Sequence, residues 1–444
     1  MSDPPADGEP ARTGSSIWRN PNFRRFFVGQ FVTNVGDSLY GVAIMWLVYQ
    51  LTGSPFLTGV ANGMLLLPWL LQIAAGPIVD RLRLGRLLVG TQVAQGVIVL
   101  AVPIAVALDA LSVGLLLAII PALAVVTTLA APIRTALVPR ILREEQLSDG
   151  NAALSTVTLG LDMLFDAAGG LLIAALGATT LFVADSVTFG VAAMLFLAMT
   201  IPPADPGDGP SDSDDDGDPG LWATLTTSYL ADLREGVAVL RGSLFVELVA
   251  LSAVFSLGVG VTLALLPVYA DQLGGPAQYG FLLGALGTGR LVGSILGSRL
   301  DGLPYGRLVA GAYIVAAGCW VAALAVPSPA LTVVLFGLAW IPPGFNGVLT
   351  STLNQRVFPP ELLGRISSAK GTASTATLPL GSLLGGILGT QVSAGLALAI
   401  GAGGLAVTGG YVLVRRPLRR LPPVGEASAA DLRVDLTAHE REDR

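Results

Sequence analysis

Apolar residues dominate this chain in long runs, broken mainly by Gly, Ser and Thr, while charged residues collect in short connections and at the two ends. An α-helix rises 1.5 Å per residue, so about 20 apolar residues cross ~30 Å of hydrocarbon. Twelve such spans can be read, at 25–50, 57–79, 87–108, 111–133, 150–175, 179–200, 243–270, 279–300, 307–327, 330–353, 366–390 and 394–414. The pattern predicts an all-α membrane protein with two six-helix halves. Its expected parts are a disordered polar lead (1–22), an N-terminal bundle (23–200), a linker (201–242), a C-terminal bundle (243–414) and a polar tail (415–444). The first apolar run is too long for the core of a cleavable signal peptide.

The linker opens with PPADPGDGPSDSDDDGDPG, an acidic stretch broken by Pro and Gly that cannot bury a core. It continues as LTTSYLADLREGVAVLRGSLF, where Leu230, Leu233, Val237 and Leu240 recur at helical spacing, which predicts a helix lying on the membrane surface. Basic residues set the orientation. Arg81, Arg83, Arg86, Arg140, Arg143, Arg299, Arg307, Arg356, Arg365 and Lys370 all fall on alternate connections, and Arg415, Arg416, Arg419 and Arg420 open the tail. The opposite connections, near Gly53, Asp109, Gly177, Gly274, Ser328 and Ser393, carry none. By the positive-inside rule both termini are cytoplasmic, and the chain is a multi-pass protein of the cell membrane.

Composition removes several classes of function. With 52% hydrophobic and 13% charged residues, the chain has about half the charge of a soluble surface. One Cys (Cys319) and one His (His439, in the tail) leave no thiolate cluster, no His zinc site and no Ser-His-Asp triad. The single Lys, Lys370, precedes Gly371 and so belongs to no phosphate loop of the G-x-x-x-x-G-K-[ST] type. No enzyme activity, metal, cofactor or nucleic-acid partner is expected; the partners are the lipid bilayer and a small-molecule substrate, and the chain is expected to be a monomer.

The two halves repeat one another. GPIVDRLRLGR (Gly76 to Arg86) and GSRLDGLPYGR (Gly297 to Arg307) both read G-x-x-x-D-x-x-x-x-G-R, with Asp80 and Asp301 separated by 221 residues. Gly53-Ser54-Pro55 maps onto Gly274-Gly275-Pro276 at that separation, and Gly169-Gly170 onto Gly385-Gly386 at 216. Parallel six-span repeats are a transporter architecture, with the substrate path between them.

The loop after span two resembles the signature of the major facilitator superfamily, with one extra residue between its Asp and Gly. The strings WRNPNFRRFFVGQFVTNVGDSLYGVAIMWLVYQLTGS, TALVPRILREEQLSDGNAALS, DLREGVAVLRGS and ELLGRISSAKG are similar to a drug–proton antiporter branch that includes macrolide-efflux and enterobactin-exporter types. The resemblance implies two halves that rock about a midplane cavity. It also implies a conformational latch at Gly76, Asp80, Gly85 and Arg86, copied at Asp301 and Arg307, that meets helix ends of the opposite half and holds the cytoplasmic side closed. A carboxylate there suits the positive end of a helix dipole.

Charges inside the spans are the sharper clue, because each costs about 2.5–3.5 kcal/mol at the bilayer centre. Asp37, Asp162, Asp166 and Asp185 face only one cation at comparable depth, Arg290. Gln30, Asn34, Asp37 and Tyr40 share one helix face. Asp162 and Asp166 stand one turn apart, and like charges that close favour holding a proton. Asp37, Asp162 and Asp166 are the proton-coupling candidates; Gln30, Asn34, Tyr40, Phe165 and Arg290 are candidates to line the substrate cavity. Arg290 is expected to pair with one of the acids, or to hold an anionic substrate, and Asp185 to be structural. The function expected is proton-coupled efflux of small amphipathic or hydrophobic compounds, drug-like or siderophore-like. A sodium-coupled carrier or an importer is the alternative within transport, and a non-transporting membrane sensor or scaffold the alternative outside it.

Overall fold

The computed structural model describes residues 16–66, 84–201 and 242–434, and the regular elements among them are all helical. A 3-10 turn at Ile17–Arg19 leads into α1 (Pro21–Thr52). Asn20 fixes its start: Oδ1 accepts from the N–H groups of Asn22 and Phe23 at 2.9 and 3.2 Å. Pro21 takes the first helical position, where a missing N–H costs nothing. Gly53, at φ 58°, ends the helix, and Ser54 caps α2 (Pro55–Leu65) by accepting from Leu57 N–H at 3.3 Å. The first half continues with α3 (Leu84–Ala107), α4 (Val113–Thr127), α5 (Ala130–Ile141), α6 (Leu147–Leu176) and α7 (Ala178–Leu197). The second half comprises α8 (Leu244–Leu273), α9 (Pro276–Leu300), α10 (Tyr305–Ala325), α11 (Pro329–Ala339), α12 (Ile341–Val357), α13 (Pro360–Gln391) and α14 (Ala394–Val414). One further turn, α15 (Arg416–Arg419), follows.

Among the described residues nine spans are long and apolar enough to cross a membrane, with α4–α5 and α11–α12 each counting as one. The chain is a multi-pass integral membrane protein. Large apolar side chains such as Val97, Val187, Leu197 and Val315 stay exposed on its flanks, as a lipid solvent allows and water would not. The expected spans at 57–79, 150–175 and 366–390 lie outside the nine. The first is described only as far as Leu66; the other two fall on α6 and α13, whose first halves are rich in Gly, Ser and Thr. Spans four and ten are interrupted, at Thr128–Leu129 and at Trp340, with Pro132 and the pair Pro342–Pro343 just beyond. A proline removes a donor and disfavours helix in the residue before it, so each span breaks there.

The halves meet along two seams, α2 on α13 and α6 on α9, both toward the end of the bundle whose connections lack Arg. Here the repeated glycines have their use. A Cβ on Gly280 would lie 2.8 Å from Gly170 Cα and 3.0 Å from Gly170 N; a Cβ on Gly59 would lie 2.8 Å from Gly386 Cα and 3.0 Å from Gly386 N. Gly59 and Gly280 are themselves a repeat pair, 221 residues apart. Two mirrored seams thus bring backbone onto backbone, the close approach that small residues permit in lipid. Trp46 stacks on Tyr279 with centroids 6.3 Å apart, Tyr49 Oη donates to Asp271 Oδ2 at 3.4 Å, and buried Asn62 Nδ2 donates to Ser382 Oγ at 2.8 Å. These contacts between halves all lie toward the Arg-free end.

The chain beyond Val414, expected to be a solvated tail, packs against that Arg-bearing end of the second half. Leu418, Leu421, Val424 and Leu432 are buried in the main core. Val424 N–H donates to Asp301 O at 3.2 Å, Tyr305 N–H to Pro422 O at 3.2 Å and Leu244 N–H to Leu432 O at 2.8 Å. Gly306 presses on the backbone of Leu418 and Arg419, with room for no side chain. Apolar residues spaced among the Pro and Arg residues of this segment suffice to dock it once α8, α10 and α12 supply a surface.

Candidate functional site

The acids belong to the first half. Asp185, on α7, is fully buried, and its Oδ1 stands so close to the backbone of α1 that only glycine fits at Gly36. Thr188 Oγ1 donates to the Asp185 carbonyl at 2.7 Å and reaches Oδ1 at 3.3 Å, but Oδ2 has no hydrogen-bond partner among the described residues. Half-buried Asp37 follows Gly36 directly, and each carboxyl feels the other's charge. Tyr40, one turn further on, has a buried hydroxyl that is likewise without a partner. Its ring meets Phe182 edge-on at 5.9 Å. Two carboxyls and a phenol therefore share one pocket between α1 and α7. A buried carboxylate with one oxygen left without a donor is costlier as an anion than as a neutral acid, so this arrangement can store a proton.

The polar face predicted on α1 divides. Asn34 Nδ2 donates to the Val157 carbonyl of α6 at 3.4 Å, Gln30 is half-buried, and Tyr40 turns toward α7, inside the first half and away from the space between the halves. Asp166 and Phe165 are half-buried on α6, beside the seam with α9, and the charge of Asp166 is felt at Tyr279. Asp162 falls on α6, but its side chain lies outside the described residues, as do the latch positions Gly76 and Asp80. Gly85 packs near Ile201, and Arg86 is exposed. Asp301 and Arg307 expose their side chains, and the described contact of Asp301 is with the chain's own tail rather than with the opposite half.

The Arg290 side chain makes no hydrogen bond or ion pair among the described residues, and Asp162, one of the acids it is expected to pair with, has its side chain outside them. It lines a cavity of about 430 Å³ with Ser294, Ser351, Thr352 and Gln355. Lys370 was assigned by the span pattern to a connection. Instead α13 starts at Pro360, six residues earlier than expected, which puts Lys370 about 15 Å into the helix, lining a second cavity. The Pro359-Pro360 pair, with proline suited to a first helical turn, was the available signal. Asn62, one turn beyond Gly59 on α2, could have been found from its spacing with the glycines. Of the aromatics weighed for the cavity, Trp46 serves the seam, and Trp340 is buried against Trp320, Phe336 and Phe255.

Two halves joined along glycine seams, the second holding polar cavities, match what comparison with known proteins finds. The family model described as transmembrane secretion effector, within the major facilitator superfamily, matches residues 13–440. The chain belongs to this family of transporters. No curated protein matches it significantly. Among solved structures, a bacterial homologue of the human lysosomal transporter Spinster, in an inward-facing and occupied conformation, superposes with a TM-score of 0.62 at 13% identity, covering 96% of this chain and 99% of that one. The nucleoside transporter NupG superposes with a TM-score of 0.61 at 12% identity, covering 88% of this chain and 98% of its own. At such identities the likeness is one of fold. The family and the fold point to a major facilitator transporter of a small molecule rather than to an enzyme.

Proposed function

We propose that this transporter is a secondary active exporter that couples inward proton flow to the outward movement of small amphipathic or hydrophobic compounds. Twelve spans in two bundles (23–200 and 243–414), joined by the acidic linker over 201–242, place both termini in the cytoplasm of a cell whose plasma membrane holds the chain. With the Arg-bearing end inside, the seams between the halves close the outward side of this conformation. The description of its family as a secretion effector agrees with export.

The observation that carries the coupling is the buried carboxyl of Asp185 with an unpartnered Oδ2, beside Asp37 and the unpartnered Tyr40 hydroxyl. A proton taken from outside neutralises this pocket, and its release inside resets the cycle. Such a cycle requires the proton to bind the two access states unequally, since equal binding shifts no population. Asp166, at the seam, is placed to act as a second acid in the outward-open state, and Asp162 remains a candidate beside it.

Proteoliposomes holding the full chain test this, with an imposed pH gradient, a panel of amphipathic dyes as cargo and an internal pH indicator. The wild type moves dye and protons in opposite directions. Asp37→Asn and Asp185→Asn abolish gradient-driven flux yet still exchange cargo without a gradient. Wild-type gradient-driven rates in both variants would refute the assignment, and flux driven by sodium alone would favour the other coupling ion.

A further inference from the structure

The second half holds a cavity of about 180 Å³ enclosed by α8, α10, α12, α13 and α14, at the depth of the first turns of α8. Its lining mixes apolar surface (Phe245, Leu248, Phe255, Val309) with one cation, Lys370, and contains no acid. Lys370 has no hydrogen bond or ion pair among the described residues. A row of hydrogen bonds runs into the same cavity. Tyr305 Oη donates to Asn346 Oδ1 at 3.1 Å, and Asn346 Nδ2 donates to Tyr313 Oη at 3.0 Å. Tyr313 is buried, and its own O–H has no acceptor among the described residues. Lys370 Nζ and the Tyr313 O–H therefore face a space whose lining holds no carboxylate. Pro343 and Gly347 of α12 border this cavity and also the one lined by Arg290, so both unpaired cations stand on the flanks of one helix.

From this we infer that the second half binds a small anionic amphiphile, its carboxylate, sulfonate or phosphate accepting from Lys370 Nζ and Tyr313 O–H and its apolar body lying on Phe245 and Phe255. A half-buried ammonium without a partner among the described residues is costly, and a substrate that supplies the counter-charge turns that cost into selectivity. The cavity lies inside the second half and has no room for two acyl chains, so the anion is a free solute and not a lipid headgroup. The inference deepens the exporter reading and narrows its cargo: acids that exchange protons occupy one half, cations that select the cargo the other.

The test is equilibrium binding, without any gradient, of 2-naphthoate and its neutral isostere 2-naphthamide to the full chain in phosphatidylcholine nanodiscs, followed by calorimetry. Naphthoate should bind at least tenfold more tightly than naphthamide. Lys370→Met should bring naphthoate down to the affinity of naphthamide, Lys370→Arg should keep a preference for the anion, and Tyr313→Phe should reduce that preference. Thermal unfolding of each variant checks that it is folded. Equal affinities in the wild type, or an undiminished preference in folded Lys370→Met, would overturn the inference. So would loss of naphthoate binding in phosphatidylglycerol nanodiscs, which would assign the site to a headgroup. Proton-driven flux of neutral dyes does not depend on these results, so either reading can fail while the other stands.

Discussion

Gly280 offers the most direct trial of how this transporter changes access. Replacing it with alanine places a Cβ 2.8 Å from Gly170 Cα and 3.0 Å from Gly170 N, both backbone atoms that no rotamer change can move. Ordinary contact begins near 3.4 Å and the nearest atom, the Ala167 carbonyl oxygen, would stand 2.5 Å away, so α6 and α9 must separate by about 0.9 Å at that point. Overpacking of this kind costs about 1–3 kcal/mol. The penalty falls on the state closed at the Arg-free end and is relieved when that end opens, so it enters the access equilibrium as a factor of roughly 5–150. Spin labels at Leu51 and Gln272, exposed at the Arg-free ends of α1 and α8, report that opening; labels at Arg143 and Arg307 report the other end. In a Cys319→Ser background, Gly280→Ala should populate a longer Leu51–Gln272 separation and a shorter Arg143–Arg307 one. The mirror change, Gly59→Ala, should do the same through the other seam. Unchanged distance distributions in folded Gly280→Ala would show that the seam is not what opens.

Three further outcomes follow from the same geometry. Asn62→Ala removes a buried hydrogen bond between the halves and leaves Ser382 short of a partner, for about 1–3 kcal/mol, so it should shift access in the same direction; the double variant with Ser382→Ala should cost less than the two singles summed. Asp185→Asn keeps the shape of the side chain without its charge and should leave the thermal unfolding temperature equal to or above that of the wild type. A lowered temperature would mean that the carboxylate holds the fold. Ending the chain at Arg415 strips the second half of Leu418, Leu421, Val424 and Leu432, each worth about 1.5–3 kcal/mol when fully buried, and should lower the unfolding temperature by several degrees. An unshifted temperature would show the docked tail to be incidental.

Most of the architecture was legible along the chain because a bilayer gives a helix few options. Every backbone group must be paired within the segment, so length and hydropathy alone point to spans, and the placement of arginine sets an expectation for their sides. The repeat showed itself through Gly, Pro and Asp at fixed separations. Its glycines could be flagged on those grounds, but only three dimensions gave them a purpose. Gly170 and Gly386 do not contact each other; each receives the repeat partner of the glycine received by the other, and a match within the sequence says nothing about contact between halves. Asp185 is the clearest case of a residue whose surroundings the string hides. Its string reads as a commonplace of span six, and what makes its carboxyl unusual is that Oδ2 has no partner among the described residues, a property of the surroundings and not of the residue. Lys370 was hidden by a span boundary six residues away from where α13 begins, and the docked tail by a composition that looks solvated until a surface is offered to it. The sequence by itself determined that this chain spans a membrane many times in two related halves, because hydrophobic length and charge placement are local quantities. Which polar groups lack partners, which glycines touch and which end is closed depend on distances between helices remote in the chain, and only the folded structure decided them.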